Sequence, residues 1–283
     1  MHYVRRLLIA YLIVIAVFSF IQRRLMYPAS RATSLSVEAF PLLGQNFHVA
    51  ADVEFTTNDN VTIKGWHLQV GAAPSDRLIL LLHGNAGHRA FRGNWYDIAK
   101  SLNADVLAID YHGYGDSGGS PSESALIGDA EAAWDQAVTT LKYEPAQIVI
   151  VGESLGGAVG VQLAAEKCRK GTQPAGLVLV TTFSSMVDVA SYQFPWLPMR
   201  FLLIDRYRSD QHIADVTCPV LQFHGDRDTL VPVRLAQQLH ELAPATASGG
   251  KARSLHILPG AGHNDILYLH GRTIRDEMAK FIR

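Results

Sequence analysis

Gln147–Lys167 reads QIVIVGESLGGAVGVQLAAEK. Gln147–Val151 is an apolar, β-branched run, the composition of a strand buried on both faces. Leu155–Lys167 is helix-like. Only Gly152-Glu153-Ser154 separates them, within the pattern G-x-S-x-G. A strand, a sharp turn carrying a serine and an immediate helix together make a nucleophile elbow. Gly152 and Gly156 leave room where such a turn brings backbones close. Ser154 then sits at a helix N-terminus, where the dipole and free N–H groups favour negative charge.

A second stretch competes for the same role. Gly115–Ser120 reads GDSGGS, which also fits G-x-S-x-G and spells the nucleophile signature of trypsin-like proteases. Its context differs. The strand-like run Asp105–Asp110 precedes Ser117, but YHGYGD intervenes, and Pro121 follows soon after. This reads as a glycine-rich loop leading to a helix N-cap near Ser122. The trypsin-like reading also demands an all-β barrel, which the helix content contradicts. Ser154 is therefore the expected nucleophile, and the match at Ser117 is a coincidence.

Outward from the elbow, strand and helix alternate. Val49–Thr56 and Val61–Gln69 are β-rich runs split by Asn58-Asp59-Asn60, a hairpin signal. Arg77–His83, Asp105–Asp110, Gly176–Thr181 and Val220–His224 are apolar strand-like runs, and Ser254–Ile257 is a weaker last one. Phe91–Leu102, Ser124–Leu141, Val233–Leu242 and Asp265–Ile282 are helix-like. The rhythm predicts an α/β fold: a mostly parallel central sheet with helices on both faces and an antiparallel hairpin at one edge. Phe183–Thr217 breaks it. With SYQFPWLPMRFLLIDRY at its centre, it is too long for a simple connection. It reads as a small helical cap insert over the carboxyl ends of the strands, at about 183–217.

The partners of Ser154 follow from order. Chains with such an elbow run serine, acid, histidine. VLQFHGDRDTLVP offers Asp226 and Asp228 just beyond a late strand. Asp228 lies deeper in the loop and is the expected acid, with Asp226 capping the turn. LPGAGHNDI places His263 in a glycine-rich loop after the last strand, where the base belongs. His256 falls inside that strand and His270 inside the last helix. His224 and His240 precede or miss the loop. An oxyanion needs two N–H donors at about 3 Å. Leu155, the residue after the nucleophile, and Asn85, in the loop HGNAGH after Arg77–His83, are the expected backbone donors. HGNAG lacks the lysine and spacing of a P-loop and the third glycine of a dinucleotide fingerprint.

Composition sets the rest. The 283 residues are 48% hydrophobic and 18% charged, enough for one large core. A net charge of −1 gives no basic surplus for nucleic acid. The twelve histidines form no zinc-spaced cluster, so no metal site is expected. Cys168 and Cys218 lie far apart and imply no redox compartment. Leu7–Ile21 (LLIAYLIVIAVFSFI) carries no charge and lies between Arg5-Arg6 and Arg23-Arg24. As a helix it is about 22 Å long, short of a hydrocarbon core of about 30 Å that flanking arginines and bilayer thinning help to match. The length also fits a signal-peptide core, but no good A-x-A site follows. A buried core helix fits poorly, because the stretch is apolar on all faces. An uncleaved signal anchor is expected over residues 1–26, then a polar linker over 27–48 and the folded domain over 49–283. Basic residues at both ends leave orientation poorly set. A short N-terminal tail usually stays cytoplasmic, which would export the rest.

Five motifs taken together resemble one family. HGNAGH at His83–His88, DYHGYGDSGGSPSE at Asp110–Glu123, GESLGG at Gly152–Gly157, HGDRDTLVP at His224–Pro232 and GAGHND at Gly260–Asp265 look like the membrane-anchored ABHD-type α/β-hydrolase-fold serine hydrolases. That group includes depalmitoylating thioesterases and lipid esterases. The resemblance covers most of Asp52–Arg283 and implies Ser154, Asp228 and His263 as a catalytic triad. It also implies a structural role for the GDSGGS loop. Val187–Tyr207 carries no motif tied to a substrate. The expected reaction is acyl transfer to water from an ester or thioester, with no cofactor and an apolar acyl substrate delivered from a membrane. A peptidase on the same fold and a non-catalytic membrane-tethered scaffold are the alternatives.

Overall fold

The computed structural model describes residues 2–282. In chain order the elements are α1 (His2–Met26), α2 (Pro41–Asn46), β1 (Val49–Thr56), β2 (Thr62–Gln69), β3 (Leu78–Leu82), α3 (Gly93–Ser101), β4 (Asp105–Asp110), α4 (Glu123–Asp135) and β5 (Ile148–Glu153). Then come α5 (Leu155–Arg169), β6 (Gly176–Val180), α6 (Met186–Gln193), α7 (Met199–Leu202), α8 (Ser209–His212), β7 (Val220–Gly225), α9 (Val233–Leu242), β8 (Ser254–Leu258) and α10 (Ile266–Phe281). The eight strands form one sheet in the order β1-β2-β4-β3-β5-β6-β7-β8. Pairings β1–β2 and β2–β4 are antiparallel, and the others are parallel.

Strand periodicity divides the core between two faces. Leu78, Leu80, Leu82, Ile148, Ile150, Leu177 and Leu179 pack with α4 and α5. Ile79, Leu81, Val149, Val151, Val178 and Val180 pack on the other face with α3 and α10. This is why β3, β5 and β6 read as unbroken apolar runs: both sides of each strand are covered. The helix expected to end at Leu141 is α only to Asp135 and continues as a π-helical stretch over Gln136–Thr140. Cys168 and Cys218 are both free thiols.

The N-terminal part of the chain is more closely packed than its composition implied. Apolar residues continue past Ile21, and the arginine pair does not stop the helix, so α1 has 25 residues. At 1.5 Å per residue that is about 37 Å, long enough for a hydrocarbon core of about 30 Å. It is the one helix long and apolar enough to cross a membrane among the described residues. Tyr27, Leu35, Leu43 and Phe47 are buried within the stretch expected as a polar spacer. Trp66 Nε1 donates to the Leu35 carbonyl at 2.7 Å, so this stretch is pinned to the sheet.

The segment between β6 and β7 holds α6, α7 and α8, the small cap expected there. Helix α1 lies against it. Tyr11 Oη donates to Trp196 O at 2.8 Å, and Arg23 meets Asp205 at 2.8 and 3.0 Å. Tyr27 Oη and Tyr207 Oη share a hydrogen bond of 2.8 Å.

Candidate active site

The turn after β5 has the geometry that its glycines anticipate. Ser154 has φ 51° and ψ −113°, a backbone conformation that L-residues rarely adopt. Such a turn fits only where neighbouring backbones come very close. A Cβ on Gly152 would lie 2.5 Å from Gly156 O, and one on Gly156 would lie 2.5 Å from His83 O. Ser154 N–H donates to Val180 O at 2.8 Å, and Thr182 Oγ1 donates to Ser154 O at 2.9 Å. The hydroxyl is thereby aimed out of the sheet at the start of α5.

The expected acid and base converge on it. His263 Nε2 lies 2.9 Å from Ser154 Oγ, and His263 Nδ1 lies 2.7 Å from Asp228 Oδ2. With Nδ1–H donating to the carboxylate, Nε2 is left as the acceptor of the serine proton. Asp228 Oδ1 accepts the N–H groups of Leu230 and Val231 at 2.9 and 2.8 Å. Burial alone would raise the Asp228 pKa. Hydrogen bonds from His224 and His263 outweigh it and hold this carboxyl far below the usual carboxylate range. The two loops are stitched together. Gly260 N–H donates to Asp226 Oδ1 at 2.7 Å, and Arg227 N–H donates to Ala261 O at 2.9 Å. Asp226 thus ties the turn, as expected, and leaves Asp228 to the histidine.

The other candidates lie elsewhere. Ser117 is buried, donates to Asp110 O at 2.7 Å and accepts Lys64 N–H at 2.9 Å. His256 stacks on Phe223 with ring centroids 5.3 Å apart, and His270 Nε2 lies 3.0 Å from Pro259 O. His240 bonds Gln222. His224 contributes more than its position in the sequence implied. Its Nε2 donates to Val231 O at 2.8 Å and lies 3.3 Å from Asp228 Oδ2, supporting the acid from below.

Leu155 and Asn85 line the same cavity as Ser154. Leu155 is the first residue of α5, so its N–H has no intrahelical acceptor. Asn85 N–H donates to no carbonyl among the described residues, while its side-chain Oδ1 accepts from Tyr114 Oη at 2.9 Å. Gly84 does not turn the chain through a positive φ. A Cβ there would sit 3.3 Å from Glu153 Oε1 and 3.6 Å from Ser154 Cβ, so its role is close approach of the two loops.

Two anchors of this loop escaped the sequence reading. Glu153, the variable residue of the elbow, accepts from Trp95 Nε1 at 2.9 Å and from Arg92 Nη1 at 3.3 Å. Arg92 in turn donates to Ala86 O. Behind it, fully buried Arg89 donates to Asp110 at 2.5 Å, to Asp116 at 2.6 Å and to Leu35 O at 3.0 Å. This group joins HGNAGHR to DYHGYGD through buried charges. Only a polar pattern hinted at either anchor.

The cavity has a volume of about 530 Å³. Ser154 and His263 are among its lining residues. Met186, Val189, Phe194 and Phe183 supply an apolar cover from the cap side. Among the described residues, no group of three or more His, Cys, Asp or Glu side chains is gathered as a metal ion requires.

A sequence model of the Alpha/beta hydrolase family matches residues 79–215. The uncharacterized protein Rv2307c of Mycobacterium tuberculosis is 36% identical over 261 residues, covering 92% of this chain and 87% of that one. The lysophosphatidylserine lipase ABHD12 of Danio rerio is 31% identical over 226 residues, covering 74% of this chain and 59% of the lipase. Among solved structures, the Pyrococcus furiosus esterase Pf2001 superposes with a TM-score of 0.67 at 21% identity, over 90% of this chain and 97% of the esterase. Sheet order, elbow, loop positions and these likenesses agree: the chain belongs to the α/β-hydrolase family.

Proposed function

We propose that this protein is a serine hydrolase, held in a membrane by α1, that cleaves carboxylic ester or thioester bonds of acyl or lipid-like substrates. The observation that carries the reading is the bonded series Ser154–His263–Asp228, whose serine and histidine line an apolar cavity. Ser154 Oγ attacks the acyl carbonyl as His263 Nε2 takes its proton, and Asp228 stabilises the imidazolium. The N–H groups of Leu155 and Asn85 stabilise the tetrahedral oxyanion, a contribution of about 10²–10³ in kcat per donor in such sites. His263 then protonates the leaving alcohol or thiol. Water attacks the acyl-serine by the same route, releasing the acid and restoring the hydroxyl.

The esterase and lipase names among the similar proteins favour ester chemistry, and the apolar cavity favours an acyl substrate. Residues 1–26 are assigned as the anchor and 49–283 as the hydrolase domain, with its cap at about 183–217. The experiment is rapid-quench mass spectrometry of the full chain with p-nitrophenyl octanoate. The expected result is an octanoyl adduct on the peptide containing Ser154. An adduct on another residue, or turnover that survives Ser154→Ala, overturns the reading.

A further inference from the structure

Helix α1 does more than lie beside the cap. Phe18, Gln22, Leu25 and Met26 line the same cavity as Ser154 and His263. Their spacing of i, i+4, i+7 and i+8 puts them on one helical face. Ile9, Ile13, Val17 and Phe20, off that face, are exposed, and Leu25 lines the cavity while remaining 57% exposed. The cavity-facing stripe is also fixed in place. Gln22 is 3% exposed, which in an apolar helix is costly unless its amide is bonded. Its Nε2 donates to Ser19 O at 3.1 Å and to Leu202 O at 3.2 Å, and its Oε1 accepts Ile204 N–H at 2.9 Å. Phe18 packs on Phe194 with ring centroids 6.2 Å apart. The Arg23–Asp205 pair and the Tyr27–Tyr207 hydroxyls close the lower end of the same seam. A tether alone needs none of these contacts.

We propose that α1 is one wall of the acyl-binding subsite. Phe18, Leu25 and Met26, facing Met186, Val189 and Phe194 of the cap segment, take the hydrocarbon chain of the substrate and set the chain length accepted. This rests on the serine-hydrolase reading above. The ligand class is an acyl ester or thioester with an extended aliphatic chain, whose carbonyl sits at Ser154 and whose tail runs along the seam between α1 and the cap. The membrane helix and the specificity pocket are then one element.

The test uses the full chain in detergent micelles. It compares kcat/KM for p-nitrophenyl butyrate, octanoate and dodecanoate among wild type, Leu25→Trp, Phe18→Ala and Ile13→Ala. Leu25→Trp narrows the seam and lowers the octanoate-to-butyrate ratio about tenfold, the scale of gaining or losing a methylene-sized space. Phe18→Ala widens it and raises the dodecanoate-to-octanoate ratio. Ile13 is exposed on the other face, and its variant keeps the wild-type ratios. Ratios unchanged in both wall variants, or shifted equally in Ile13→Ala, overturn the proposal. If Leu25→Trp fails to fold, Phe18→Ala decides alone. Fluorophosphonate labelling separates the two levels of argument. A wild type that takes no label defeats the serine-hydrolase reading, whereas labelled variants with unchanged ratios defeat only the role of α1.

Discussion

The Ser117 hydroxyl donates to the Asp110 carbonyl at 2.7 Å. It also receives Lys64 N–H at 2.9 Å, so it joins the end of β4 to β2. Ser154 and Ser117 share a pattern of five residues and nothing else. One carries a strained φ beside an imidazole, and the other closes a buried polar junction. Ser117→Ala leaves the Asp110 carbonyl and Lys64 N–H without that partner. A loss of about 1–3 kcal/mol is expected for such buried groups, read by denaturant unfolding, with ester turnover kept. Loss of turnover in a folded Ser117→Ala protein contradicts this.

The acid limb of the pH–rate profile should reflect one group. Hydrogen bonds from His224 and His263 keep Asp228 ionised far below the range where histidines titrate. Lowering the pH therefore leaves the Asp228 carboxylate charged, so this carboxyl adds no step of its own to the acid limb. A log plot of kcat/KM falls toward low pH with unit slope. A slope of two above about pH 5 would mean that the carboxyl titrates with the imidazole, contrary to its bonded state.

Glu153 is expected to act through the loop it holds. Its bonds to Arg92 and Trp95, with Arg92 on Ala86 O, fix the segment that carries Asn85. Glu153→Ala should lower kcat about tenfold to a hundredfold with a smaller change in KM, because a loosened oxyanion donor acts chiefly on the transition state. Equal losses in kcat and stability, or a change in KM alone, would show that Glu153 only braces the fold.

Arg89 tests the buried charge group. Arg89→Met strands Asp110 and Asp116, and breaking such a pair costs about 3–5 kcal/mol. Burial would raise the Asp110 pKa, but bonds from His83 and Arg89 outweigh it and depress it. A depressed carboxyl contributes stability that is present above its unfolded pKa of about 3.9. That contribution is lost as the pH falls through the folded value. The gap between wild type and Arg89→Met is therefore full at neutral pH and shrinks below about pH 4. A gap that widens on acidification contradicts the assignment.

The fold was legible because its central elements are local. QIVIV, the glycine pair around Ser154 and the run that becomes α5 lie side by side in sequence, and periodicity reads them directly. Asp228 and His263 were chosen by order along the chain, with no contact visible in sequence, and the structure brings both to Ser154. The misjudged parts depend on distant contacts. Nothing near Leu35 announces Trp66 or Arg89, so a turn-rich stretch with buried apolar residues passed for a spacer. Helix α1 was read as a uniform apolar cylinder from its charge-free run Leu7–Ile21. The signal was there in the i, i+4 spacing of Phe18, Gln22 and Met26 and in the lone amide of Gln22. Its meaning depends on the cap, 180 residues away for the Gln22–Leu202 bond.

The most direct test is fluorophosphonate labelling of the full chain, wild type, Ser154→Ala and Ser117→Ala, with p-nitrophenyl butyrate turnover measured on the same samples. Label and turnover should both vanish in Ser154→Ala alone. If Ser154→Ala keeps them and Ser117→Ala loses them, the nucleophile lies in the GDSGGS loop and the account given for the elbow is wrong.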